Sequence, residues 1–127
     1  SSAEIETETH KVLGDNDRLS AIVAKFCHAD LLILLSDIEG LYDANPKTHP
    51  EAKLIHQVHE LTPEIMEMAG AAGSWRGTGG MVTKLYAAKI AMENGVDMVI
   101  TNGKKLKNVY DIVENKDVGT RFYAMRA

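Results

Sequence analysis

Two short apolar runs do most to limit what this chain can become: Leu31-Leu32-Ile33-Leu34-Leu35, closed by Ser36-Asp37, and Met98-Val99-Ile100-Thr101, closed by Asn102-Gly103. Each is too short for a typical helix and too continuously apolar for a strand with one wet face. The pattern predicts strands buried on both faces in a parallel sheet. Polar residues just past the carboxyl end of such a strand stand where open α/β sheets bind ligands.

Between and around the runs the period changes. Leu19, Ile22, Val23 and Phe26 follow helical spacing and predict a helix with those residues on its buried face, capped by one of Asp15, Asn16 or Asp17. Gly40, Asn45-Pro46 and His49-Pro50 mark a loop, with a short strand expected at Lys53-Leu54-Ile55. Thr62-Pro63-Glu64 reads as N-cap, first-turn proline and first-turn acid, opening a short helix through about Ala69. Another helix carries Met81, Leu85, Ala88 and Met92 on one face and stops at Asn94-Gly95. A helix around Leu106 to Val113 and a strand near Thr120 to Tyr123 complete the order. Strands alternating with helices predict an α/β fold, a mostly parallel sheet flanked by helices.

The 127 residues, 45% hydrophobic, suffice for one domain with one core. The net charge of −4 is spread along the chain without a polybasic stripe, so neither nucleic acid nor a membrane is an expected partner. The apolar runs are far too short to cross a bilayer, and Cys27, the single cysteine, cannot form an intrachain disulfide. A cytoplasmic location is expected. Residues 1–13 read as a polar lead-in, and the opening without methionine reads as the interior of a longer frame.

Three polar clusters carry chemistry. Gly77-Thr78-Gly79-Gly80-Met81-Val82-Thr83-Lys84 joins flexible backbone to the start of a helix. Glycines let main-chain N–H groups approach an anion, the helix start adds partial positive charge, and Lys84 adds a full one. It is not a Walker A loop, which needs adjacent Gly-Lys-Ser/Thr. The other clusters are Gly14-Asp15-Asn16-Asp17 and Ser36-Asp37-Ile38-Glu39-Gly40-Leu41-Tyr42. Their structural alternatives are turns and helix caps; all three fall at junctions of one α/β sheet, where a nucleotide edge is built.

Together these residues resemble the amino acid kinase superfamily. Ser36-Asp37 through Leu41-Tyr42, followed by Asn45-Pro46, is similar to a loop found across that superfamily. Gly14 through Ala21 and Gly77 through Lys84 resemble, within it, the glutamate 5-kinase family, and the likeness runs from about Gly14 to Phe122. The resemblance implies the amino acid kinase (carbamate kinase-like) fold, of which this chain would be the carboxyl-terminal, nucleotide-binding part. It implies transfer of the ATP γ-phosphoryl group to the side-chain carboxylate of L-glutamate, the first step of proline synthesis, with Mg2+ held mainly by the nucleotide phosphates.

By the same resemblance Lys84 contacts the transferred phosphoryl oxygens and Asp17 holds lysines in position, while Asn16 and Asp15 belong to the glutamate site. Ser36, Asp37, Thr78, Gly79, Gly80, Met81, Val82, Thr83 and Lys84 form the ATP segments. A homo-oligomer and feedback inhibition by proline are also implied. Aspartate, N-acetylglutamate, carbamate and UMP are the alternative acceptors; a catalytically inactive nucleotide-binding module is the alternative of another class. The chain departs from the family pattern at Leu13, where phenylalanine is common, at the bulky pair Trp75-Arg76, and in lacking the amino-terminal half, so the isolated chain is expected to be inactive.

His49, His56 and His59 lack a ligand pattern, and no metal site is expected from them. Met66, Met68, Met81, Met92 and Met98 are expected to fill core gaps, Cys27 to be buried or half-buried, and Lys104, Lys105 and Lys107 to form a solvated helix start.

Overall fold

The computed structural model of the chain describes residues 20–24, 26–74 and 80–125, the side chains of 70–74 excepted. Its elements are β1 (Leu31–Ser36), β2 (Gln57–Val58), α1 (Pro63–Ser74), α2 (Gly80–Glu93), β3 (Asp97–Asn102), α3 (Leu106–Val113) and β4 (Thr120–Phe122), preceded by helical residues at 20–24. The four strands form one sheet in the order β1-β3-β4-β2. β1 pairs with β3 and β2 with β4 in parallel, whereas β3 and β4 are antiparallel, so the sheet is mixed with two parallel pairings of three.

Local chemistry sets most boundaries. At the start of α1 the Thr62 hydroxyl accepts from Ile65 N at 3.2 Å, and Pro63 occupies the first turn, where its missing N–H costs nothing. The helix runs past the expected Ala69 to Ser74. Glycine in a helix costs about 1 kcal/mol; Gly70 and Gly73 lie within α1, which packs on α2. At the end of α2, Gly95 takes φ 77, with Val96 N donating to Ala91 O at 2.9 Å and Gly95 N to Met92 O at 3.4 Å. That paired pattern is the Schellman motif. α3 ends the same way on Asn115, φ 64, with bonds from Asn115 N to Ile112 O and from Lys116 N to Asp111 O, both 2.9 Å.

The core lies between the sheet and α2. Met81, Leu85, Ala88 and Met92 are buried as the spacing predicts, joined by Ala87 and Ala91, whose small side chains let the helix sit close to β3. Met98, Ile100, Leu34 and Phe122 supply the sheet's side of it. Met66 and Met68 are only half-buried.

Four expectations need correcting. β3 is buried on both faces over Asp97–Thr101, but β1, the outer strand of the sheet among the described residues, is covered mainly on one face: Leu32 and Leu34 are buried while Leu35 is 56% exposed. The first helical segment turns Ser20, Ala21 and Ala24 inward, half-buries Val23 and leaves Ile22 and Phe26 exposed, because small residues allow the closer approach; Leu19 lies outside the described residues. No strand forms at Lys53-Leu54-Ile55; Leu54 makes a single antiparallel bridge to Tyr42, and the strand comes later, at Gln57–Val58. There the backbone bonds inward to its own loop, Ile55 N to Leu41 O at 2.8 Å and Asp43 N to Lys53 O at 3.0 Å. Cys27 is exposed, since it lies in the turn beyond the helical residues rather than on their inner face.

Candidate functional site

The carboxyl ends of β1 and β3 lie side by side, with Ser36 the register partner of Asn102. Gly103 N donates to Ser36 O at 2.8 Å, extending the parallel ladder one step past the strands. Ser36 is half-buried; its hydroxyl lies 3.4 Å from Asp37 Oδ1 and 3.4 Å from Ile38 N. Asp37 is exposed at the strand tip.

Topology brings the start of α2 to this same edge. Only Asn94-Gly95-Val96 separates α2 from β3, so the helix must run antiparallel to the strand it packs on. Fourteen helical residues rise about 21 Å, and six strand residues span about 20 Å. The first turn of α2 therefore reaches the level of Asn102 and Ser36. Gly80 opens the helix, Met81 is buried at 2% exposure, and Val82, Thr83 and Lys84 are half-buried. Met81 and Leu85 anchor the helix in the core, which fixes the direction in which its first turn presents its N–H groups.

Thus Ser36, Asp37, Gly80, Met81, Val82, Thr83 and Lys84 belong to one end of one sheet. Thr78, Gly79, Asp15, Asn16 and Asp17 lie outside the described residues.

The structure gives contacts to residues that the sequence named only as a turn, Asn102-Gly103, or as part of the resemblance, Val118-Gly119-Thr120. Asn102 Nδ2 donates to Glu39 Oε2 at 2.7 Å while Asn102 Oδ1 accepts from Lys104 N at 2.8 Å, so one amide ties the β1 loop to the β3 turn. Thr120, fully buried, accepts from Leu41 N at 2.8 Å and donates to Ile55 O at 2.6 Å. Glycine at 119 was the available signal: with φ 69, a Cβ there would stand 2.1 Å from Ile100 O, so only glycine lets β4 begin this close to β3. Lys104, Lys105 and Lys107 are exposed at the start of α3, as expected. Lys107 pairs with Asp111 at 3.1 Å, and that hydrogen bond holds the Asp111 carboxyl below its ordinary value.

A cleft of about 560 Å³ opens beside the loop, lined by Asp43, Asn45, Thr48, His49, Glu64 and Glu67 among others. Its acidic lining disfavours phosphate and suits hydroxyl-bearing or cationic groups. A smaller cleft of about 220 Å³ lies by Val99, Asn115 and Arg121. Its cations are matched internally: Arg121 by Asp97 at 2.8 Å, and Lys116 by Asp111 at 3.6 Å and Glu114 at 3.4 Å. Among the described residues, no group of three or more His, Cys, Asp or Glu could hold a metal, and no helix is long and apolar enough to cross a membrane.

Comparison with known proteins agrees with this architecture. The model of the amino acid kinase family matches residues 3–102. The chain is 55% identical over 113 residues to glutamate 5-kinase of Clostridium perfringens, covering 89% of this chain and 42% of that protein. It is 50% identical over 118 residues to glutamate 5-kinase of Lactococcus lactis, covering 93% and 44%. The chain thus spans less than half the length of these curated relatives. Among solved structures, uridylate kinase from Archaeoglobus fulgidus superposes with a TM-score of 0.64 at 22% identity, covering 84% of this chain and 46% of that one. Carbamate kinase from Giardia lamblia, bound to AMP-PNP, gives 0.61 at 23%, covering 87% and 35%. With this sheet order, this helix-to-strand return and the family match over most of its length, the chain belongs to the amino acid kinase family.

Proposed function

We propose that this chain supplies the ATP-binding part of an enzyme that transfers the γ-phosphoryl group of ATP to the side-chain carboxylate of L-glutamate, forming the acyl phosphate that begins proline synthesis. One observation carries the reading: identity of 50–55% to two glutamate 5-kinases extends across the same stretch that sets Ser36-Asp37 and Gly80–Lys84 at one sheet edge.

Phosphoryl transfer asks little covalent chemistry of a protein; it asks for alignment and for positive charge where the transferred oxygens gather negative charge. The first N–H groups of α2 have no acceptor within the helix and can serve the nucleotide phosphates. Lys84, one turn along, brings its ammonium group to the transferred oxygens. Ser36-Asp37 borders the nucleotide on the strand side. The accepting carboxylate is ionised at neutral pH, so no general base is required. Asp17 keeps its assigned role of orienting lysines, and Asn16 with Asp15 that of holding glutamate. Magnesium, brought in on the phosphates, supplies further charge neutralisation. A cytoplasmic homo-oligomer inhibited by proline completes the proposal.

The decisive assay uses the protein at its full natural length with magnesium-ATP, glutamate and hydroxylamine. Glutamyl hydroxamate is the expected product. Its absence, with product instead from aspartate, N-acetylglutamate, carbamate or UMP, would reassign the acceptor; no product from any of them would overturn the kinase reading.

A further inference from the structure

We propose that Thr120 is a positioning residue for nucleotide binding: its hydroxyl clamps the loop that follows Ser36-Asp37 onto the start of β4. The proposal rests on the assignment of Ser36-Asp37 to the nucleotide.

Thr120 is fully buried, and its hydroxyl is shared between two backbone groups far away in sequence. The proton goes to Ile55 O at 2.6 Å, across 65 positions, and a lone pair accepts from Leu41 N at 2.8 Å, across 79. Those two groups belong to the two sides of one loop, which are themselves joined by the bond from Ile55 N to Leu41 O and by the Tyr42–Leu54 bridge. A single hydroxyl therefore closes the loop's neck and fastens it to β4. At the loop's other end Asn102 holds Glu39. The segment following Ser36-Asp37 is thus held at two points, Glu39 by Asn102 and Leu41 by Thr120.

Gly40 makes the clamp possible. Gly40 takes φ 156, and a Cβ there would stand 2.5 Å from Thr120 Oγ1, 3.0 Å from Leu54 Cδ1 and 3.1 Å from Thr120 N, the last a backbone atom of the sheet. The glycine allows the loop to descend until the hydroxyl reaches Leu41 N. Threonine fits the other side, since its methyl group packs while its hydroxyl bonds. Valine would keep the shape and leave a buried donor and a buried acceptor unmet. A loop already fixed before ligand arrives spares the nucleotide the entropy of ordering it, so release of the clamp should appear first in nucleotide affinity.

The test compares Thr120→Val, Thr120→Ser and Gly40→Ala with wild type in the protein at its full natural length. The readouts are KM for ATP, KM for glutamate, kcat, and binding of magnesium-ADP by calorimetry. For Thr120→Val, which loses both hydrogen bonds of the hydroxyl, we expect the KM for ATP and the Kd for magnesium-ADP to rise about tenfold or more, with the KM for glutamate within about twofold. Thr120→Ser should restore ATP affinity, and Gly40→Ala should reproduce the defect from the opposite side of the contact. A Thr120→Val protein with unchanged ATP and ADP affinity, losing only active fraction, would overturn the proposal, as would a serine variant as impaired as the valine one. Should Thr120→Val not fold, Gly40→Ala decides, and unchanged nucleotide affinity there rejects the clamp. Wild type that binds magnesium-ADP but never phosphorylates glutamate would refute the acceptor assignment while leaving the clamp measurable through ADP.

Discussion

The two ends of the β1–β3 pair are tied by different residue types. At the amino end Asp97, 8% exposed, is closed into a structural knot: Arg121 donates to it at 3.2 and 2.8 Å, and Ala124 N at 2.7 Å. Each charge is answered nearby, and the result joins β3, β4 and the segment after β4. At the carboxyl end the cross-links are made instead by an amide, Asn102, and a hydroxyl, Thr120. These orient backbone without drawing a cation into the links. Charge that neutralises itself holds a fold together; charge meant for a ligand has to be positioned by other means.

That contrast predicts opposite signatures for substitutions at the two ends. The largest effect is expected from Lys84→Ala in the full-length protein, where kcat should fall by ~10²–10³, the usual loss for one charge-stabilising donor, while the thermal midpoint stays close to wild type. A fall below about fivefold would remove Lys84 from the transferred group. Asp97→Ala should do the reverse. Asp97 accepts charge-assisted hydrogen bonds from a partly exposed Arg121 and one from Ala124 N, so its removal should cost about 1.5–3 kcal/mol, and denaturant unfolding should show that loss while kcat per folded molecule stays within about twofold. A large catalytic defect with stability intact would erase the distinction between the two ends.

The smallest effect concerns Asp111. Its folded carboxyl is lowered, first by the hydrogen bond from Lys107 and, beyond that, by the charges of Lys107 and Lys116, against some opposing desolvation. A carboxylate with a depressed folded value contributes stability that is complete above its ordinary value of 3.8 and is lost as pH falls through the lowered one. Lys107→Ala should therefore be slightly less stable than wild type at neutral pH, and the difference should shrink below about pH 4. Paired unfolding curves at the two pH values check this, and a difference that grows in acid would contradict the assignment.

Signals confined to a few residues were readable in advance. Thr62-Pro63-Glu64 opened a helix, Asn94-Gly95 closed one, and the Met81, Leu85, Ala88, Met92 stripe faced the core. Ser36-Asp37 and the helix start at Gly80 also emerged at strand and helix ends, because chain order alone forces an α/β return to bring such ends together. What failed depended on neighbours. Leu31–Leu35 and Met98–Thr101 look alike, yet β3 lies between β1 and β4 and is buried on both faces, whereas among the described residues β1 pairs with β3 alone. Lys53-Leu54-Ile55 has strand-forming residues, but its backbone is engaged by its own loop and by Thr120.

The sequence by itself determined the kinds of element and most of their ends, because caps, apolar period and glycine turns act over a few residues, and its three polar motifs carried the resemblance to the family. Only the tertiary structure decided which face of β1 is covered, where β2 pairs, and that Thr120 fastens a loop 79 positions earlier. Burial and hydrogen-bond satisfaction are properties of what lies opposite in space, and a threonine in a sequence carries no mark of the backbone group it will meet.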